Sequence, residues 1–331
     1  MSARRTNVGL LLALAAAFAT GVLAYGVGSG WNVYVSVGHA IAGFVVIVLS
    51  PWKSVIARRG LRRQRRGRRA SVALSVLTLA ALLFGLLHST GLARSFGVLT
   101  AMQLHVGAAL LSLPFVVWHI AVRPARLHRT DIRRRQVLHG AAVTAAGAVV
   151  FGLSKALEHV AGLPGRSRRF TGSYEEGSGT PEEMPVTQWL DDDVPIIDVA
   201  QWTLLVAGRS WSHEQLTGFD QAVDALIDCT GGWFATQRWE GAWLHDLVGD
   251  TAGARTIVVR SATGYQRSFP IEDASRLLVA HRVAGEPLSP GHGYPARLVA
   301  PGRRGFWWVK WITEIELSDR PWWIQSPFPL T

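Results

Sequence analysis

The chain of 331 residues contains one cysteine, Cys229. A lone thiol forms no intramolecular disulfide and cannot build the Cys-rich zinc or iron–sulfur sites that need several thiolates. It leaves a buried bystander, a nucleophile or a single metal ligand. A second set of chemically capable residues is His39, His88, His105 and His119, each embedded in apolar sequence. Ionisable side chains inside a bilayer are costly and are functional candidates by default. His105 and His119 are 14 residues apart on one run. On a helix that is a rise of roughly 21 Å with a net rotation within about 40° of one face. The two point the same way from opposite leaflets.

The elements that must carry these histidines are membrane spans. Apolar runs without charge cover Asn7–Ser29, Trp31–Ser50, Ala70–Gly91, Val98–Val122 and the shorter Val137–Leu153. Each is near the roughly 20 residues that cross hydrocarbon as a helix, and their number excludes a single signal peptide. Met1–Gly162 holds 19 Lys+Arg against two acids, Asp131 and Glu158; Leu163–Thr331 holds 15 against 21. The net charge of +11 thus hides a basic half at +17 and an acidic half at −6. Basic residues concentrate in alternate links: Arg4 and Arg5, then Lys53 to Arg69, then Arg123 to Arg135; the opposite links carry only Arg94. Positive loops stay in the cytoplasm, so the N-terminus is expected inside and the part after five spans outside.

That topology also explains the Arg59–Arg69 run, which lacks the interleaved aromatics of a nucleic-acid surface; no nucleic-acid partner is expected. Gly26, Gly28 and Gly30 miss the dinucleotide-binding spacing and read as an external turn. Thr130–Leu138 reads TDIRRRQVL before an Ala/Gly-rich span and resembles an internal twin-arginine export signal. Such a route carries folded domains and suits one that takes up a cofactor in the cytoplasm.

Histidines at matching depth pair across spans. His39 lies eight residues from the outer end of its span at Trp31, and His105 seven from Val98. His88 is nearer the outer surface, and the best-matched partner for His119 is His139. The pattern resembles the two-haem b-type membrane cytochromes, in which one helix ligates both haems. That resemblance makes His39, His105, His119 and His88 candidate haem-iron ligands.

The outer half has mixed character. Ser167–Pro195 is polar and reads as a linker, with the domain limits set at 1–162 for the membrane part, 163–184 for the linker and 185–331 for the soluble domain. Strands are expected at Trp202–Val206, Thr256–Val259, Arg297–Val299 and Trp307–Leu317, and helices at Phe219–Leu226 and Ile271–Leu278. The fold class is an N-terminal all-α bundle of five spans followed by an α+β domain.

Within this domain Asp228–Gly241 reads DCTGGWFATQRWEG, and Gly285–Gly305 reads GEPLSPGHGYPARLVAPGRRG, followed by VKW at Val309–Trp311. The order of a Cys, a His-Gly-x-Pro-x-Arg segment, a Pro-Gly and a Val-Lys-Trp resembles the molybdopterin domain of the sulfite oxidase family. The resemblance covers about Pro185–Asp319. It implies a molybdenum-molybdopterin cofactor with Cys229 as catalytic residue and molybdenum ligand. It further implies that His292, Arg297, Lys310 and Gly305 bind the pterin and its phosphate. Soft thiolate suits such a metal, and cations suit a phosphate.

Three departures stand against sulfite as substrate. Gly232, Trp233, Phe234 and Ala235 follow the cysteine where the family has arginines, the first arginine being Arg238. No tyrosine follows Tyr294, and the family's C-terminal dimerisation domain has no counterpart after Trp311. Trp233, Trp239, Trp243, Trp307 and Trp308 suggest an apolar rim, with most of them core residues. The expectation is a membrane-bound, extracytoplasmic molybdenum oxidoreductase. It would transfer an oxygen atom to or from a small-molecule or protein-bound oxidised substrate such as a sulfoxide. Haem b would pass electrons to or from the quinone pool or a membrane redox partner. The alternatives are a sulfite-oxidising enzyme, or a membrane electron-transfer cytochrome whose soluble domain holds no metal.

Overall fold

The computed structural model describes residues 2–62, 67–122, 134–188, 192–251 and 253–326. Arg63, Arg65 and Arg66, residues 123–133 and therefore the first part of the twin-arginine-like stretch lie outside the described residues. The chain divides into two compact units. One comprises Met1–Tyr25 with Gly30–Gly172, the other Gly26–Ser29 with Ser173–Thr331.

The first unit is five helices: α1 (Ala3–Gly26), α2 (Asn32–Arg62), α3 (Arg68–Thr90), α4 (Ala101–Val122) and α5 (Arg134–Val160). All five are long and apolar enough to cross a membrane. A short hairpin, β1 (Ser95–Phe96) with β2 (Leu99–Thr100), joins α3 to α4. α3 packs on α4 and α2 on α5. The second pair is tight: a Cβ on Gly147 of α5 would stand 2.7 Å from a Val45 methyl of α2. A small core of Ala13, Val45, Val46 and Leu49 ties α1 to α2. Leu79, Leu83, Leu111, Val117 and Leu153 face outward, as a helix with its backbone hydrogen bonds closed internally can do in lipid. α2 runs twelve residues past the expected end at Ser50, through Pro51 to Arg62.

The second unit is built on two sheets with two short helices, α6 (His213–Thr217) and α7 (Leu244–Val248). The first sheet holds β3 (Tyr174–Glu175), β6 (Gln221–Asp228), β7 (Trp233–Trp243), β10 (Leu278–Val283), β11 (Glu286–Pro287) and β12 (Arg297–Val299). β7 is its spine and pairs with β3, β6 and β10. The second sheet runs in the order β5-β4-β13-β8-β9, from β4 (Thr203–Val206), β5 (Arg209–Ser212), β8 (Thr256–Ser261), β9 (Gln266–Pro270) and β13 (Ile312–Ser318). Only β13 with β4 is parallel there.

Two expected elements differ. The helix expected at Phe219–Leu226 is strand β6, paired antiparallel with β7 from Gln221 to Asp228. Its Ala and Leu favour a helix locally, but burial against β7 overrides that weak preference. At Ile271–Leu278 only Ile271–Ser275 is helical, as a 3-10 turn, because Leu278 already begins β10. The expected strand Trp307–Leu317 begins only at Ile312, since Gly305–Trp307 forms a 3-10 turn. β7 was not anticipated, although Trp233, Ala235, Gln237 and Trp239 are buried in strict alternation along it. This alternation turns Trp239 into the core and Arg238 outward.

Candidate active site

Cys229 sits where β6 ends and the chain turns into β7. Its N–H donates to the Trp233 carbonyl at 2.8 Å, and its own carbonyl accepts from Gly232 N–H at 3.2 Å. The sulfur accepts from Gly231 N–H at 3.3 Å. Gly305 packs on the same turn: a Cβ there would lie 3.0 Å from Cys229 Cα, a contact that only glycine avoids. Behind the turn is a buried ionic clamp. Arg304 is ion-paired with Asp228 and donates to the Cys229 carbonyl at 3.2 Å. Ser173 donates to Asp228 Oδ1 at 2.6 Å and lies 3.3 Å from that same carbonyl.

The opposite wall comes from the segment between β11 and β13. His292 ends a 3-10 turn, Pro290–His292, with its Nδ1 2.8 Å from the Ser289 hydroxyl. Gly293 follows at φ +108°, where a Cβ would be 3.0 Å from Arg297 Cβ and 3.2 Å from Lys310 Cβ. Arg297 opens β12 and is 1 % exposed. Its Nη1 donates to the His292 carbonyl at 3.1 Å and its Nη2 to the Trp308 carbonyl at 3.3 Å, while its buried Nε meets no acceptor. The guanidinium lies 4.9 Å from the Trp239 ring centroid. Lys310 Nζ donates to the carbonyls of Thr187 at 2.9 Å and Gly291 at 2.6 Å. The next residue, Trp311, holds φ +51°, a left-handed conformation costly for a bulky side chain, and is fixed by its indole N–H on the Pro290 carbonyl at 2.7 Å.

One cavity brings together all five residues singled out for the cofactor: Cys229, His292, Arg297, Gly305 and Lys310 line it. Of the five tryptophans considered, Trp233 and Trp308 reach it, Trp239 and Trp307 are core, and Trp243 packs against the core, partly buried. Burial pushes the Cys229 thiol up, opposed by the Gly231 N–H, the Arg304 charge, Thr187 and Lys310. Burial lowers Arg297 to about 9 and Lys310 to about 7, the latter also repelled by Arg297. Burial, with Arg297 and Lys310 next, lowers His292 to about 4. Among the described residues neither Arg297 nor Lys310 has a carboxylate at ion-pair distance. Asp192 lines the cavity too and acts on Lys310 from beyond ion-pair distance, so the buried Arg297 is the charge that an anionic ligand would compensate.

The comparisons with known proteins bear on the same segment. Residues 191–325 match the family model described as the oxidoreductase molybdopterin binding domain. A Bacillus subtilis protein named uncharacterized oxidoreductase YuiH is 30% identical over 142 residues, 38% of this chain and 70% of that protein. The chain belongs to the molybdopterin-binding oxidoreductase family. An NADPH nitrate reductase of Mycosarcoma maydis is 45% identical over 58 residues, 18% of this chain but 6% of that enzyme. The sulfane dehydrogenase SoxCD of Paracoccus pantotrophus is 25% identical across 38% of this chain and 40% of that one, with a TM-score of 0.36. The chain thus spans only a small part of the nitrate reductases it matches, 6% and 19% of the first two.

The family implies a molybdenum cofactor, and the residues fit one. A single thiol, the buried Arg297 with its Nε unmet and the part-buried Lys310 form a donor set for a soft metal carried on an anionic, phosphate-bearing group. Sequence reasoning missed Asp228, Arg304, Ser173 and Thr187. Asp228 and Arg304 are chain neighbours of Cys229 and Gly305, the one signal available. Ser173 and Thr187 lie in polar sequence read as a linker, with nothing local to mark them.

In the helical unit, the His39 and His105 rings meet edge to face with centroids 5.8 Å apart. Each Nδ1 lies on a main-chain carbonyl, His39 on Ala17 at 2.9 Å and His105 on Ala81 at 2.7 Å. Glycines make room for both: a Cβ on Gly21 would be 3.1 Å from the His39 ring and one on Gly85 2.9 Å from that of His105. His88 is placed differently, with Nε2 2.7 Å from the Gly172 carbonyl. His119 Nδ1 lies 3.4 Å from the Ser71 hydroxyl, and His139 is exposed on α5.

Proposed function

We propose that this chain is an extracytoplasmic molybdenum oxidoreductase fused to its own membrane electron carrier, catalysing oxygen-atom transfer. The observation that carries the reading is the cavity that Cys229 lines together with the buried Arg297, whose Nε meets no acceptor, and Lys310. When bound there, a molybdenum-molybdopterin group supplies a two-electron centre able to exchange an oxygen atom with substrate. Cys229 would give its thiolate to the metal. Arg297, Lys310 and His292 would hold the pterin and its phosphate, and Gly305 would allow the approach of the cysteine turn. The tryptophans Trp233 and Trp308 would exclude water from the substrate side.

A neutral oxidised substrate such as a sulfoxide, free or on a protein, suits this cavity better than sulfite. No arginine follows Cys229 closely; Arg238 has a side chain 60% exposed and pairs with Glu240 at 3.5 Å on the outer face of β7. The electron route would run through haem b in the helical unit. His39 and His105 support it, because an Nδ1–H committed to a carbonyl leaves Nε2 to ligate iron. His119 places its Nδ1 near the Ser71 hydroxyl instead, and His88 places its Nε2 on the Gly172 carbonyl. Electrons would pass between this haem and the quinone pool or another membrane redox partner. The basic links between alternate spans support an inside N-terminus and an outer catalytic domain, with folded export through the stretch at Thr130–Leu138. The proposed limits are 1–162, 163–184 and 185–331.

The test is metal, pterin and haem analysis of full-length protein from a host that makes the cofactor. Wild type is expected to hold molybdenum and Cys229→Ser to lose it. Molybdenum-free wild-type protein would overturn the enzyme reading in favour of a membrane cytochrome with a metal-free outer domain.

A further inference from the structure

The charge behind Cys229 is unusual in its depth and its balance. Arg304 and Asp228 are 1 % and 3 % exposed, and they are paired with each other. They do not line the cavity. They reach the cysteine through its main chain. Arg304 Nη2 donates to the Cys229 carbonyl at 3.2 Å, and Ser173 bridges from Asp228 Oδ1 to the same carbonyl at 2.6 and 3.3 Å. The three residues come from separate parts of the sequence, 55 and 76 positions from Asp228. The Arg304 Nε is buried without an acceptor, so the guanidinium is held by only two of its edges.

A buried pair of this kind is weak evidence for stability, because desolvation offsets the attraction. Its location therefore matters more than its strength. In a low-dielectric interior a charge acts over several ångströms with little screening. As it stands the positive and negative members cancel beside the thiol turn, and the fork of Arg304 fixes the direction of the Cys229 peptide.

We propose that Asp228, Arg304 and Ser173 form a positioning clamp that sets both the orientation of Cys229 and the electrostatic potential at the metal it would hold. The clamp rests on the molybdenum reading above. Removing the negative member leaves Arg304 uncompensated and favours the reduced metal. Removing the positive member leaves Asp228 uncompensated and favours the oxidised metal. A purely structural brace would lower occupancy in both variants without moving the potential in opposite directions.

The experiment is a spectroscopic redox titration of the full-length protein, with molybdenum content measured on the same samples. Asp228→Asn is expected to raise the metal potential and Arg304→Gln to lower it. Each should move the one-electron equilibrium by about tenfold, which is about 59 mV. The double variant is expected to return towards wild type. Loaded variants whose potentials stay within twofold of wild type, or move in the same direction, overturn the clamp while leaving the enzyme reading intact. Wild-type protein free of molybdenum overturns that reading, and the clamp with it. Should neither single variant accumulate, Ser173→Ala decides. It removes one hydrogen bond from Asp228 and is expected to shift the potential in the Arg304→Gln direction by two- to fivefold. An unmoved potential in that variant overturns the clamp.

Discussion

Gly305 approaches Cys229 so closely that a Cβ on the glycine would stand 3.0 Å from the cysteine Cα and 3.4 Å from the Asp228 carbonyl. Both obstacles are backbone, which cannot swing aside as a side chain can. Gly305→Val is therefore expected to push the β6–β7 turn away and to lower molybdenum content at least tenfold. It should also destabilise the domain by about 1–3 kcal/mol, the usual range for overpacking a core. Metal content and denaturant unfolding of the variant check both figures. Full occupancy would show that the turn adjusts freely.

Lys310 gives a pH signature in cofactor-free protein. Its folded-state value of about 7, lowered first by burial and then by Arg297, lies below its ordinary 10.5. Cys229 and Asp192 oppose the shift. Between these values the unfolded chain binds more protons than the folded one, so stability rises with pH across the window from about 7 to 10.5. The gain is present in full above 10.5 and lost as pH falls towards 7. Lys310→Met should flatten this part of the profile and abolish cofactor retention. Parallel unfolding curves for the two proteins at pH 7 and pH 10 would refute the assignment.

The helical unit gives an optical prediction. Substituting His39 or His105 with Ala should each remove a low-spin haem spectrum from purified protein. His88→Ala should keep it, since His88 spends its Nε2 on the Gly172 carbonyl. A spectrum that survives in His39→Ala would move the haem elsewhere or remove it from the proposal. Gly85→Leu, which would drive a side chain into the His105 ring, is expected to behave as His105→Ala does.

The helices were legible because five apolar runs near the length that would cross a bilayer are hard to misread, and the structure has five helices of that length and character. The facing of His39 and His105 also followed from depth counted in helical residues. The cavity residues Cys229, His292, Arg297, Lys310 and Gly305 were legible only as an ordered set, since each alone is commonplace. β6 was misread because Ala222, Ala225 and Leu226 favour a helix and the neighbour that decides the matter, β7, lies across a turn. The ion pair of Asp228 with Arg304 joins residues 76 apart, and no local pattern announces such a pairing.

The carbonyl of Thr187 receives the Lys310 ammonium, and the Thr187 hydroxyl receives the indole N–H of Trp233. Met184 and Thr187 both line the cavity, yet both precede residue 191, where the match to the family model begins. Part of the pocket wall therefore comes from chain that precedes the matched segment. A fragment trimmed to begin at residue 191 would carry the thiol and the cations with one side open, and a cofactor seated there would drain out through the gap.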